Sequence, residues 1–302
     1  MEGKKLALVG VGAVGGSLLG RKEGNDQIVS VIAQGERAKR LEKEGILVNK
    51  KPCQVHLATA GDAIDLLFVA VKNTQLDEVK KEIAPFVGKE TVLLPLMNGI
   101  TAARTLKEAF PQNEVVTALV YVDAVKEGKD VFCGEEYLVQ LGSQGDDCRA
   151  ETVEMAAECL EKLGIESKIA EDIQRTLWLK WMVNMGMNQV SALMEVPFAP
   201  FQKIPALLEA AKMAMEEVVA VAKEAGVDLT MDDVWAMDEK IHGFEPEATS
   251  SMLQDVAAKR KTEVEFFAGE LMRLGKQYGV ATPYNALLYQ LLRAKEGLYG
   301  VE

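Results

Sequence analysis

The 302-residue sequence predicts two domains of different class: an N-terminal α/β domain on a doubly wound parallel sheet, then an all-α domain. Three observations carry that expectation. Short apolar runs alternate with helical segments through the first half of the chain, the pattern of right-handed βαβ crossovers. A glycine-rich turn, Gly10-Val11-Gly12-Ala13-Val14-Gly15, directly follows the first apolar run. From about Asp172 onward the periodicity becomes almost continuously helical. The boundary is accordingly placed between residues 1–171 and 172–302.

The elements follow in order. Residues 5–9 form an unbroken apolar run, as a parallel strand buried on both faces requires, and residues 14–19 open a helix. Residues 27–33 read as a second strand and 36–45 as a polar helix. Residues 63–71 give a strand, 76–86 a helix, and 91–96 a strand that stops before Met97-Asn98-Gly99. Further strands are expected at 115–125 and 136–141, a loop at 142–147 and a helix at 151–163. In the second domain, helical periodicity covers 176–194, 204–225, 231–240, 252–277 and 283–294. Gly226 and Gly279 follow helix ends, and Thr282-Pro283 has the chemistry of a helix start.

Composition narrows the function. The chain is 48% hydrophobic and 26% charged, a globular balance. Its net charge of −12 argues against nucleic acid or an anionic membrane surface as the main partner, but leaves room for a small anionic substrate. No apolar run approaches the roughly 20 residues that span a bilayer, and the N-terminus lacks signal-peptide architecture. Cys53, Cys133, Cys148 and Cys159 have no CxxC spacing and only 2 His are present, so no metal site is expected. Scattered thiols fit a reducing cytoplasm.

The glycine turn has a physical reading as a Rossmann-type dinucleotide site. Gly10 permits the tight turn, Gly12 lets backbone approach a pyrophosphate, and Gly15 allows close helix–strand packing. Val11, Ala13 and Val14 carry the remaining backbone of the loop and the helix N-terminus, which supplies N–H donors and dipole. The end of the second strand reads Ala33-Gln34-Gly35-Glu36-Arg37, with Lys39 and Arg40 behind. With no acid at the end position, where Gln34 stands, to bind a ribose diol and with cations in reach, NADP is favoured over NAD. A solvated helix start explains Lys39 and Arg40 equally well. Lys72 and Asn98 each follow an apolar strand, at the end where doubly wound sheets bind ligands, although Asn98-Gly99 is also a plain turn dipeptide.

In the helical half, Lys180, Asn184 and Asn188 are spaced four apart among Trp178, Trp181, Met182, Val183, Met185 and Met187. On a helix they share one side. Buried polar groups need partners, either internal hydrogen bonds or a ligand. A lysine flanked by two tryptophans is expected to have a lowered pKa, which suits proton donation to an oxygen that gains charge. Ser250-Ser251-Met252-Leu253-Gln254-Asp255 and Thr262-Glu263 follow. Their plain alternatives are a capping box begun by Ser251 and a helical salt bridge from Glu263 to Lys259.

Taken together these motifs resemble ketopantoate reductase (2-dehydropantoate 2-reductase). The likeness runs through Gly10-x-Gly12-Ala13-x-Gly15, Val71-Lys72, Asn98-Gly99, Lys180-x-x-x-Asn184-x-x-x-Asn188, Ser250 to Asp255 and Thr262-Glu263. It implies a C-terminal domain like that of 6-phosphogluconate dehydrogenase and an interdomain cleft. It implies NADPH-dependent reduction of 2-dehydropantoate to (R)-pantoate, on the route to pantothenate and coenzyme A. Lys180 would be the general acid and Glu263 its partner. Asn184, Asn188 and Ser251 would hold substrate, with Lys72 and Asn98 at the nicotinamide end and Asn98 also on substrate. Family members commonly carry Arg where this chain has Gln34, so Arg37 would substitute or NAD would be accepted. Reduction of another 2-oxoacid or 3-hydroxyacid on the same plan, and a non-catalytic dinucleotide sensor, remain as alternatives, and a homodimer stays open.

Overall fold

Leu6, Ala7, Leu8 and Val9 form strand β1 (Leu6–Val9), and all four are buried. Successive strand residues point to opposite faces, so an unbroken apolar run needs cover on both. The cover divides accordingly. Leu6 and Leu8 join Leu66, Phe68 and Leu94 in one core, while Ala7 and Val9 join Leu67, Val69 and Leu93 in another. The computed structural model describes residues 3–21 and 29–300. The chain separates into two units, Met1–Ile173 and Gln174–Glu302.

After β1 the first unit continues through α1 (Ala13–Gly20), β2 (Val29–Ile32), α2 (Gly35–Glu44), β3 (Ile46–Val48), β4 (Lys51–Cys53) and β5 (His56–Leu57). It then runs through β6 (Leu66–Val69), α3 (Leu76–Ile83), β7 (Val92–Pro95), α4 (Ala102–Ala109), β8 (Thr117–Glu127), β9 (Asp130–Gly142), α5 (Ala150–Lys162) and β10 (Glu166–Ile169). The main sheet has the order β5-β2-β1-β6-β7 with every pairing parallel. The chain begins in the middle, steps to β2 on one side and later to β6 on the other. That reversal makes a topological switch point at the carboxyl end of β1, where open α/β sheets bind ligands.

The expected α/β and all-α classes are both present. Residues 27 and 28 of the expected second strand lie outside the described residues. Of the strands expected at 115–125 and 136–141, the first meets the parallel sheet at Val115, in a single parallel bridge to Leu93 of β7. The two form an antiparallel hairpin, β8 with β9, with an irregularity between Val122 and Ala124. β9 belongs to a second, mixed sheet of order β10-β9-β3-β4. β3, β4, β5, β10 and α4 were not anticipated. The four strands are two to four residues long, too short to show a periodicity.

The second unit is helical: α6 (Ile173–Met194), which spans its start, then α7 (Ala199–Lys203), α8 (Pro205–Glu224), α9 (Met231–Trp235), α10 (Met237–Lys240), α11 (Ser251–Ala257), α12 (Ala268–Tyr278) and α13 (Pro283–Leu298). Helices α6 and α8 pack at a glycine: a Cβ on Gly186 would lie 2.5 Å from the Ala211 carbonyl oxygen. The Glu217 carboxylate accepts from the backbone N–H of Tyr284 and Asn285, at 2.8 and 3.0 Å, and so caps α13. Asn285 in turn accepts from Gln189 of α6 at 3.0 Å.

Two expected helices divide. The segment 231–240 breaks at Ala236 into α9 and α10. The segment 252–277 breaks after α11 because Lys259 takes a left-handed conformation, φ 52°. Its N–H donates to the Val256 carbonyl and that of Arg260 to the Asp255 carbonyl, at 2.9 and 2.8 Å. This pair of bonds is a Schellman stop, with lysine where glycine is usual. No described helix is long and apolar enough to cross a membrane.

Candidate active site

Each glycine of the first loop meets a different demand. Gly10 has φ +95°, and a Cβ there would run into the Ala70 carbonyl. A Cβ on Gly15 would run into the Gly10 carbonyl oxygen, so α1 can approach β1 only without it. Gly12 differs: a Cβ there would have nothing within 4 Å. Its absence keeps open space in front of the backbone at the helix start. Gly16 N–H, one turn on, donates to the Gly12 carbonyl at 2.9 Å. Crowded first and third glycines around an open second one fit a loop that admits a phosphate group.

At the end of β2, Gln34 precedes α2 without capping it through its side chain. Its Nε2 donates to the Glu82 carbonyl at 3.5 Å, and Arg37 pairs with the Glu82 carboxylate. Lys72 and Asn98 sit after β6 and β7 respectively, both partly exposed. Their loops are tied together by Asn73, buried at 3% exposure, whose Nδ2 donates to the Asn98 carbonyl at 2.8 Å. Nothing local in the sequence marks Asn73 for this role.

The polar stripe of the second unit lies on one continuous helix, α6. Lys180 and Asn184 are partly exposed and Asn188 is buried. Trp178 and Trp181 flank Lys180, with rings edge to face at 5.3 Å. Desolvation lowers the Lys180 pKa to about 8 from an ordinary 10.5. Among the described residues no hydrogen bond uses the Asn184 or Asn188 side chain. The neighbouring Gln189, by contrast, is held by the Met185 carbonyl and Asn285, at 2.7 and 3.0 Å. Internal bonding thus occupies position 189, not the carboxamides of the stripe.

Both plain alternatives for the later motifs are overturned. The N-cap of α11 is Ser250, whose Oγ accepts from the Leu253 N–H at 3.1 Å and donates to Ser191 Oγ at 3.4 Å. Ser251 is therefore the first helical residue and is exposed. Glu263 is not in a helix with Lys259, because the Schellman stop comes between them. It sits at the start of a single 3₁₀ turn, Val264–Phe266.

Three long-range bonds hold that turn. The buried Glu296 of α13 accepts from the Thr262 N–H and hydroxyl, at 2.8 and 2.6 Å. Trp181, next to Lys180, donates its indole N–H to the Phe266 carbonyl at 3.3 Å. The lysine helix and the glutamate turn are thereby coupled within one unit. Glu296 escaped sequence reasoning, since nothing local marks a carboxylate whose partner lies 34 residues away. Among the described residues no group of three or more His, Cys, Asp or Glu is placed to hold a metal ion.

Comparison with known proteins agrees with this layout. Residues 6–143 match the ketopantoate reductase PanE/ApbA family, and residues 172–296 match its C-terminal domain. The 2-dehydropantoate 2-reductase of Pyrobaculum aerophilum is 30% identical over 239 residues, covering 79% of this chain and 80% of that protein. The enzyme of that name from Lactococcus lactis subsp. lactis is 26% identical over 312 residues, covering 97% and 98%. Among solved structures, a ternary complex of D-mandelate dehydrogenase with NADH and anilino(oxo)acetate is 26% identical with a TM-score of 0.88, covering 99% of this chain and 100% of that one. With the glycine loop on a doubly wound sheet and the Lys/Asn/Asn helix behind it in sequence, the chain belongs to the ketopantoate reductase PanE/ApbA family of oxidoreductases.

Proposed function

We propose that this protein is an NADPH-dependent 2-dehydropantoate 2-reductase acting in the cytoplasm, with residues 1–171 as its dinucleotide-binding domain and 172–302 as its substrate domain. The observation that carries the reading is Lys180, a desolvated lysine with a pKa near 8, on the same side of one helix as two carboxamides that make no side-chain hydrogen bond among the described residues. The dinucleotide would be held by backbone of Gly10, Val11, Gly12, Ala13, Val14 and Gly15, by Gln34 and Arg37 at the adenosine end, and by Lys72 and Asn98 at the nicotinamide end. The open space at Gly12 and the crowding at Gly10 and Gly15 fit such a group. When bound, it supplies a hydride to the keto carbon.

The chain's own residues have three tasks. Lys180 stabilises the oxygen as charge grows on it and gives that oxygen its proton, leaving a secondary alcohol and a neutral amine. A pKa near 8 keeps most of the lysine protonated at neutral pH, yet makes it a far better donor than an ordinary lysine. Asn184, Asn188, Asn98 and Ser251 offer neutral donors and acceptors to the substrate's carboxylate and hydroxyl, so they orient without adding charge. Glu263, outside the helix and clamped by its turn, interacts with substrate and with the lysine.

A second reading is supported by the similarity to D-mandelate dehydrogenase with NADH, together with Gln34 where the family commonly has arginine. On that reading the chain is an NAD-dependent dehydrogenase of another 2-hydroxy acid. Initial rates with ketopantoate, benzoylformate and pyruvate, each with NADPH and with NADH, separate the two. The proposal expects the highest kcat/KM for ketopantoate with NADPH. A preference for benzoylformate or for NADH sinks it, and no oxidation of either cofactor with any keto acid sinks both readings.

A further inference from the structure

The adenosine end of the loop has a charge pattern that the end of β2 alone does not explain. Gln34 brings no cation, and the charge of Arg37 is offset by the Glu82 carboxylate. A lysine from a distant strand reaches the same place. Lys126, near the end of β8 and partly buried, donates through Nζ to the carbonyl oxygen of Val11, the residue between Gly10 and Gly12. This bond crosses 115 positions of sequence.

A backbone carbonyl fixes an ammonium without neutralising it. Burial lowers the Lys126 pKa from its ordinary 10.5, and repulsion from Arg40 and Arg37 adds to it. Lys126 of β8 thus touches the glycine loop, with Arg37 and Arg40 of α2 within electrostatic reach of it and the one carboxylate, Glu82 of α3, paired with Arg37. Like charges gathered against a half-buried surface repel unless an anion completes them. The loop's own N–H groups serve a pyrophosphate, so the cluster has charge left for a second, separate anion. A phosphate monoester, with a charge between about −1.5 and −2 near neutral pH, matches the surplus.

We propose that Lys126 is a specificity-determining residue: with Arg37 and Arg40 it receives a phosphate ester on the adenosine ribose, supplying the charge that Gln34 lacks. The inference rests on the dinucleotide reading above, and selects the phosphorylated dinucleotide within it. Lys126 acts by direct contact with that phosphate, so its effect belongs to binding and not to the reacting carbon.

Calorimetric titration of the full chain with 2′,5′-ADP and with 5′-AMP tests it, alongside NADPH and NADH. The wild-type chain should bind 2′,5′-ADP at least about 10-fold more tightly than 5′-AMP, the size of one strong charged contact. Lys126→Met should remove most of that ratio while changing 5′-AMP affinity less than about 2-fold. Lys126→Arg should keep most of it, and the salt dependence of 2′,5′-ADP binding should flatten in the Met variant. Equal weakening of both probes would make Lys126 a brace for Val11 and overturn the proposal. So would an unchanged ratio, or a wild-type chain that prefers 5′-AMP or NADH. A wild-type chain that binds neither dinucleotide would instead remove the cofactor reading on which the proposal stands.

Discussion

Replacing Lys180 by Met keeps the length and apolar bulk of the side chain and removes only the ammonium. Two consequences point in opposite directions. A proton donor contributes about 10²–10⁴-fold to such a step, so kcat for keto-acid reduction should fall by that factor, or ~3–5 kcal/mol in the barrier. Stability should not fall with it. Desolvation holds the folded-state pKa near 8 against 10.5 in the open chain, so below pH 8 the buried charge works against folding. That difference corresponds to ~3 kcal/mol at most, and partial solvent access at Lys180 reduces it. Between about pH 8 and 10.5 the folded chain carries fewer protons than the unfolded one, so this penalty shrinks as pH rises. Wild type should therefore gain stability relative to Lys180→Met across that window. In the wild type, kcat/KM for reduction should decline as pH rises through about 8, because the protonated amine is the donor. The variant should lack that limb while binding NADPH with unchanged affinity. Steady-state rates from pH 6 to 10, urea titrations at pH 7 and 10, and cofactor titration make the comparison. A loss under 10-fold, a limb retained in the variant, or lower stability at pH 7 would each refute the reasoning.

Four further outcomes follow from particular contacts. Gly12→Ala meets open space, so it should change stability by less than about 1 kcal/mol while cutting dinucleotide affinity at least 10-fold. Gly15→Ala drives a methyl into the Gly10 carbonyl and should destabilise by about 1–3 kcal/mol; equal stability of the two variants would show the loop is not built as described. Lys259→Gly relieves a left-handed lysine and should raise the unfolding free energy by about 0.5–1 kcal/mol, read as a higher urea midpoint at constant slope, and a lower midpoint contradicts the Schellman assignment. Glu296→Gln weakens the hold on Thr262 and leaves Arg293 facing an amide, at a cost of about 2–3 kcal/mol in denaturation. Because Glu263 is the next residue, its kcat should fall more than thermal stability alone predicts at 25 °C, and an unaltered kcat would dissociate the clamp from the site.

Features legible in the sequence share a local cause. Gly10, Gly12 and Gly15 could be read because each answers a backbone demand set within a few residues, and the structure separates them into two crowded positions and one open one. Lys180, Asn184 and Asn188 could be read because a spacing of four survives along an unbroken helix of 22 residues. Where reading failed, a residue had two local solutions of similar free energy and a distant contact chose between them. Ser250 and Ser251 both suit an N-cap, and Ser191, nearly 60 positions away, meets the first. Residues 252–277 keep helical periodicity throughout, and no glycine marks the stop at Lys259. Once stopped, the chain is held open by Glu296 and by Trp181, from opposite ends of the unit's sequence. That same break takes Glu263 out of reach of its helical salt-bridge reading and into an irregular turn. An irregular segment costs conformational entropy and a strained residue, and it persists here because two buried bonds to Glu296 and one partly buried bond from Trp181 fix it. A glutamate so placed, in a turn coupled to the lysine helix, is more costly to build than one on a regular helix, and this expense supports the role proposed for Glu263 beside Lys180.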